Sequence, residues 1–171
     1  MASNNNSNNT NNLDLDIFDD VDYHISLANC IYLLLEDVPN YIGNTLNCHN
    51  FMHINCRSLQ KNFDSLSSLI SCINKPLTVL AVSETWLKPN NEDAFNLPGY
   101  AFVSCSRPSK VGVGVGLYIN DCIQFKVLTE YTYITDIIEC IFVELVCETG
   151  RNLMAGCIYR PPSSDTNTFN D

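Results

Sequence analysis

The chain has 171 residues, of which 46% are hydrophobic, and a formal net charge of −10. That length is one domain's worth of polypeptide, and the apolar fraction suffices for a core, which excludes a wholly disordered chain. The acidity is uneven: residues 1–50 carry −7 with no Lys or Arg, and residues 51–171 carry −3, which argues against tight autonomous binding to a phosphate backbone.

Met1–Asn12 is an Asn-rich, low-complexity segment with almost nothing to bury and reads as disordered. Leu13–Asn50 is acidic, with an apolar patch at Ile25–Leu35 for which a short helix capped by Asp22 is one reading. Residues 1–50 are therefore expected to be a largely disordered leader, and residues 51–171 the folded domain. Phe51–Asn55 reads as the first strand of that domain. Leu59, Phe63, Leu66, Ile70 and Ile73 recur at steps of three and four, the stripe of an amphipathic helix. Ser58 is placed to cap its start, and Asn74-Lys75-Pro76 to end it. Leu77–Val82 is apolar apart from Thr78 and reads as a strand buried on both faces. This strand–helix–strand start predicts the C-terminal ends of both strands on one rim, with Asn55 and Glu84 as neighbours. After a polar loop at Lys88–Asp93 and a turn at Leu97–Tyr100, strands are expected at Ala101–Ser104, Val115–Ile119, Ile123–Leu128, Ile138–Val146 and Leu153–Tyr159, with a basic loop at Ser106–Lys110.

The nine cysteines are odd in number and form no CxxC. Cys72, Cys122, Cys140 and Cys157 sit in apolar runs, where free Cys acts as a small buried hydrophobe. A reducing compartment without a disulfide framework follows. The first residues are not those of a signal peptide, and no apolar run approaches the ~20 residues that span a bilayer. The expected location is intracellular, nuclear or cytoplasmic, without a membrane and not secreted.

Several features compete as chemistry. Gly112, Gly114 and Gly116 form GxGxG, which is neither a P-loop nor a dinucleotide fingerprint; the period of two predicts three glycines on one strand face, leaving room for another backbone. Cys48, His49, His53 and Cys56 lie within nine residues but not at zinc spacing. Glu84 follows a buried strand, where ligands of open α/β sheets collect. It reads either as a solvated turn residue or as a carboxylate for a hard cation such as Mg²⁺. Asn55 reads as a turn residue after a strand, and Tyr159 as a strand-end aromatic.

The motifs HINCRSL (His53–Leu59), SETWL (Ser83–Leu87), NLPGY (Asn96–Tyr100), VGVGVGLYI (Val111–Ile119) and GCIYRPP (Gly156–Pro162) occur in this order. In that order and spacing they resemble the endonuclease domain of non-LTR (LINE-type) retrotransposons, of the endonuclease/exonuclease/phosphatase superfamily. The resemblance implies a four-layer α/β sandwich, of which this chain would supply about one sheet and part of its helical cover. It also implies Mg²⁺-dependent nicking of DNA for target-primed reverse transcription. By the same resemblance Glu84 binds the metal, and Asn55 helps bind the metal and the scissile phosphate. Tyr159 hydrogen-bonds a phosphate oxygen, and Arg160 pairs with phosphate through its guanidinium. The family's GDFN- and SDH-type segments do not occur before Asn170-Asp171. The expectation is therefore the N-terminal half of the domain, truncated, poorly stable and inactive alone. The rival expectations are a non-catalytic scaffold remnant or interaction protein, and an abasic-site nuclease or other phosphoesterase of the superfamily.

Overall fold

Strand β1 (Phe51–Asn55) leads into helix α1 (Leu59–Cys72), which returns the chain to β2 (Val79–Ser83). The computed structural model describes residues 37–38, 49–73, 75–88, 91–106, 113–148 and 150–162, all within one unit, 33–171. The Asn-rich segment, the expected helix at Ile25–Leu35, Cys30, Cys48, the basic loop from Arg107 to Lys110 and Gly112 lie outside the described residues. Ser58 caps α1: its hydroxyl accepts the Lys61 N–H at 3.3 Å. The helix stops at Ile73, which is extended, three residues before Pro76, as the proline's bias against helix in the residue before it requires.

β1 and β2 pair in parallel, Phe51 opposite Val79 through Asn55 opposite Ser83. The parallel return through α1 leaves both C-terminal ends on one rim. β3 (Tyr100–Cys105) and β4 (Val115–Asn120) complete a mixed sheet of order β1-β2-β4-β3. Four more strands form a second, antiparallel sheet: β5 (Phe125–Val127), β6 (Tyr133–Ile134), β7 (Glu139–Leu145) and β8 (Leu153–Tyr159). β7 is its centre, with β5 and β6 along one edge and β8 along the other.

Two stacked sheets replace the expected single sheet with its helical cover. The physical reason is the alternation in β4 and β7. Val115, Leu117 and Ile119 point to one side of the first sheet, Ile141, Val143 and Leu145 to one side of the second, and these sides meet with Val79 and Cys157 in a buried layer. Strands with an apolar face must cover it, and packing face to face does so. The opposite side of the first sheet buries Leu80, Val82 and Tyr118 against Leu59 and Leu66 of α1. β2 is thus buried on both faces, which accounts for its unbroken apolar run. Among the described residues the architecture is mixed α/β, mostly strand, with α1 as its long helix.

Two other expectations change. Cys140 and Cys157 are buried, but Cys72 and Cys122 are exposed, because they lie at a helix end and in the turn after β4, where neighbouring apolar residues do not decide burial. Of the three glycines, Gly114 and Gly116 are described, and only Gly116 lies within a strand. Gly114 precedes β4 with φ +112°, and Gly116, inside β4, makes room for the Phe102 ring, which stacks on Tyr118 at 4.2 Å. The seven described cysteines are all free. Among the described residues no helix is long and apolar enough to cross a membrane.

β8 lies over β2 and β4, and β7 over β4 and β3. The face of β1 turned away from the helix is less covered, and Phe51 there is 50% exposed. A groove of about 490 Å³ runs along this side between Phe51, His53 and Ala81 and the β8 residues Leu153 and Met154.

Leu80 is fully buried between α1 and the first sheet, whereas Ile158 on the outer side of β8 is 54% exposed. Leu80→Ala is expected to lower unfolding free energy by about 2–5 kcal/mol, and Ile158→Ala by no more than about 0.5 kcal/mol, read from urea midpoints of otherwise identical chains.

Candidate functional site

The ends of β1 and β2 remain paired after the strands finish. Cys56 N–H donates to the Ser83 carbonyl, Ser58 N–H to Glu84 and Leu59 N–H to Thr85, each at 2.9 Å. A third segment closes the other side: Thr85 N–H donates to the Gly114 carbonyl at 3.1 Å and Trp86 N–H to Val113 at 2.9 Å. Asn62 of α1 ties down the first loop by donating to the Cys56 carbonyl at 2.8 Å. Three backbone segments are therefore laced around Glu84.

The lacing forces unusual backbone angles. Among the described residues, the non-glycine positions with left-handed φ are Arg57 (43°), Ser58 (85°), Glu84 (52°) and Trp86 (55°). All lie in the two loops after β1 and β2. Each such residue costs on the order of 1–3 kcal/mol, and such residues cluster at functional sites.

The Glu84 side chain is half-buried. Its Oε1 accepts two hydrogen bonds, from Asn55 Nδ2 and from the Tyr159 hydroxyl, both at 2.9 Å. Asn55 is held in turn, because its Oδ1 accepts the Arg57 N–H at 3.2 Å. Residues 29 and 75 positions away from Glu84 in sequence meet on one oxygen. The structure thus brings together Asn55, Glu84 and Tyr159, three of the four residues singled out in the sequence. Arg160 follows Tyr159 and is exposed. His53 is not part of the cluster and pairs instead with the Ser83 hydroxyl at 3.1 Å.

Burial, followed by the hydrogen bond to Glu84 and the charge of that carboxylate, pushes the Tyr159 phenol up to about 12. The phenol is therefore a protonated donor at neutral pH. Glu84 Oε2 takes no hydrogen bond among the described residues. Among those residues no group of three or more His, Cys, Asp or Glu gathers. The donor set is thus one carboxylate flanked by an amide and a phenol. That set is too sparse for zinc but fits Mg²⁺, which keeps several waters and takes one or two protein carboxylates plus phosphate oxygens. Other residues line the 490 Å³ groove; in the cluster Asn55 is exposed and Glu84 and Tyr159 are half-buried.

Two supporting residues, Thr85 and Gly114, were given no role at this site by sequence reasoning. Thr85 is fully buried, and its hydroxyl has no hydrogen-bond partner among the described residues. Gly114 sits against it, and a Cβ on Gly114 would strike the Thr85 hydroxyl. The signal for Gly114 was the glycine itself; its positive φ and its closeness to Thr85 appear only in the fold. No protein-family model and no curated protein matches this chain.

Two outcomes follow. Gly114→Ala is expected to destabilise the fold by more than about 1 kcal/mol, since neither its φ nor the space beside Thr85 admits a side chain; the urea midpoint checks this. The raised Tyr159 phenol makes the unfolded chain release its proton first on alkalinisation. Its contribution is therefore complete below about 10 and is lost as pH rises toward about 12. Comparing midpoints of wild type and Tyr159→Phe across this range should show a shallower alkaline decline in the variant.

Proposed function

We propose that the cluster of Glu84, Asn55 and Tyr159, with Arg160 beside it, is the metal- and phosphate-binding part of a Mg²⁺-dependent phosphodiesterase site acting on DNA, similar to the endonuclease of non-LTR retrotransposons. The observation that carries the reading is the convergence of Asn55 and Tyr159 on Glu84 Oε1 at 2.9 Å, at the rim beyond the carboxyl ends of two parallel strands, where α/β sheets hold ligands. The stacked sheets with a helix outside the first support, at the level of fold, the endonuclease/exonuclease/phosphatase sandwich.

Glu84 would hold the cation through its outward oxygen, and Asn55 would complete the polar side of that position. A cation bound there polarises a phosphoryl oxygen and offsets the acidic balance of the chain. Tyr159, protonated at neutral pH, can donate to a phosphate oxygen as charge develops on it. The Arg160 guanidinium can pair with a neighbouring phosphate of the strand. The left-handed loops hold Glu84 in place before substrate arrives, so little ordering cost remains for binding.

A second reading is supported by one observation. Among the described residues, no imidazole and no second carboxylate hydrogen-bonds to Asn55, Glu84 or Tyr159. General-base catalysis is typically worth 10²–10⁴-fold, and a chain without it would act as a binding scaffold rather than an enzyme.

Supercoiled plasmid incubated with the purified chain and Mg²⁺ separates these readings, with EDTA and Glu84→Gln as controls. Nicking that needs Mg²⁺ and is lost in Glu84→Gln is the outcome expected of the enzyme. Mg²⁺-dependent change in Trp86 emission without nicking would establish the scaffold. Absence of both would overturn the metal site.

A further inference from the structure

Glu139 opens β7, is fully buried, and has no role in the chemistry proposed above. Its Oε2 accepts the Gly114 N–H at 2.6 Å. Gly114 then receives the Thr85 N–H on its own carbonyl, and the adjacent Val113 carbonyl receives that of Trp86. These two amides belong to the residues that directly follow Glu84. On its other side Glu139 is the cross-strand partner of Tyr159 in the β7–β8 ladder, and directly paired residues of an antiparallel ladder project to the same face. One buried carboxylate therefore stands beside both supports of Glu84: the loop that carries it and the strand that carries its phenol partner.

Burying a carboxylate costs more than burying a neutral side chain of the same shape. A short bond from a backbone amide to a charged acceptor is stronger and more directional than a neutral one. An acidic anchor at this point makes sense if the position of the loop matters more than the stability of the strand.

We infer that Glu139 is a positioning residue for the Glu84 site: its carboxylate anchors Gly114, and through Gly114 the Thr85–Trp86 backbone, so that Glu84 stays where Asn55 and Tyr159 reach it. The purpose of that anchoring rests on the proposed metal and phosphate site; the anchoring itself is read without metal.

Trp86 is the single tryptophan of the chain, two positions from Glu84 and 40% exposed, so its emission reports this loop. The experiment compares wild type, Glu139→Gln and Glu139→Leu as full-length chains, each first shown to unfold cooperatively in urea. Without metal, the Gly114 amide is followed by NMR for its proton shift and exchange rate, and Trp86 by its emission and quenching. In Glu139→Leu, Gly114 exchange is expected to rise at least about tenfold, the loss of roughly one hydrogen bond's protection, with a change in Trp86 emission. Glu139→Gln, which still offers an oxygen, should restore most of the protection while moving the Gly114 proton shift. The Mg²⁺ concentration for half-maximal Trp86 response should rise about 10–100-fold in Glu139→Leu and less in Glu139→Gln. If Glu139→Leu does not fold, the Gly114 proton shift in Glu139→Gln decides, and an unchanged shift overturns the inference. A folded Glu139→Leu with wild-type Gly114 exchange and Trp86 emission also overturns it. Wild type without any Mg²⁺ response overturns the metal site instead, and the metal-free measurements still judge the anchor.

Discussion

The structure around Glu84 depends on backbone hydrogen bonds that continue where strands have ended. Parallel pairing of β1 and β2 runs on through Cys56, Ser58 and Leu59, so two loops that would otherwise diverge are held together. Side chains do not create this arrangement. They are placed by it: Asn55 and Glu84 leave neighbouring strand ends at the same level, and a 2.9 Å bond between them needs no further adjustment. The left-handed angles at Arg57, Ser58, Glu84 and Trp86 are the conformational cost of that lacing, offset by amides that would otherwise lose their partners.

The second sheet supplies what the first cannot. Tyr159 stands at the end of β8, and β8 lies over β2 because their alternating residues bury one another. The phenol therefore reaches Glu84 only through sheet stacking. Glu139, one strand away, reaches Gly114 by the same stacking. The apolar layer between the sheets thus has two effects: it contributes burial at about 25 cal/mol per Å², and it sets the distance between β8 and the rim. Its low polarity also raises the Tyr159 phenol further above neutral pH, since burial is the first cause of its upward shift.

Charge bears on partners rather than fold. The region from residue 51 onward is only mildly acidic, while residues 1–50 carry most of the negative charge. A site with one half-buried carboxylate, whose hydrogen-bond neighbours are a neutral amide and a neutral phenol, adds little to that. A divalent cation would reverse the local sign and make the rim attractive to phosphate.

Much of this was legible in the chain. The bounds of β1 and β8, the stripe and cap of α1, the doubly buried β2, and the adjacency of Asn55 and Glu84 all follow from periodicity and from the parallel return of a strand–helix–strand unit. Those are local rules, and they act over a few residues or one crossover. What they could not decide was whether the later strands extended the first sheet or stacked on it, because alternating apolar residues suit either. Nor could they decide the fate of Cys72 and Cys122, the short strand at Tyr133–Ile134, or the left-handed turn at Gly114. The meeting of Tyr159 with Glu84, 75 residues apart, and the anchoring of Gly114 by Glu139 belong to the same class. The sequence alone determined which residues carry polar chemistry and which strands must be buried; only the stacking of two sheets, a contact between faces distant along the chain, determined that the phenol, the amide and the carboxylate share one point in space.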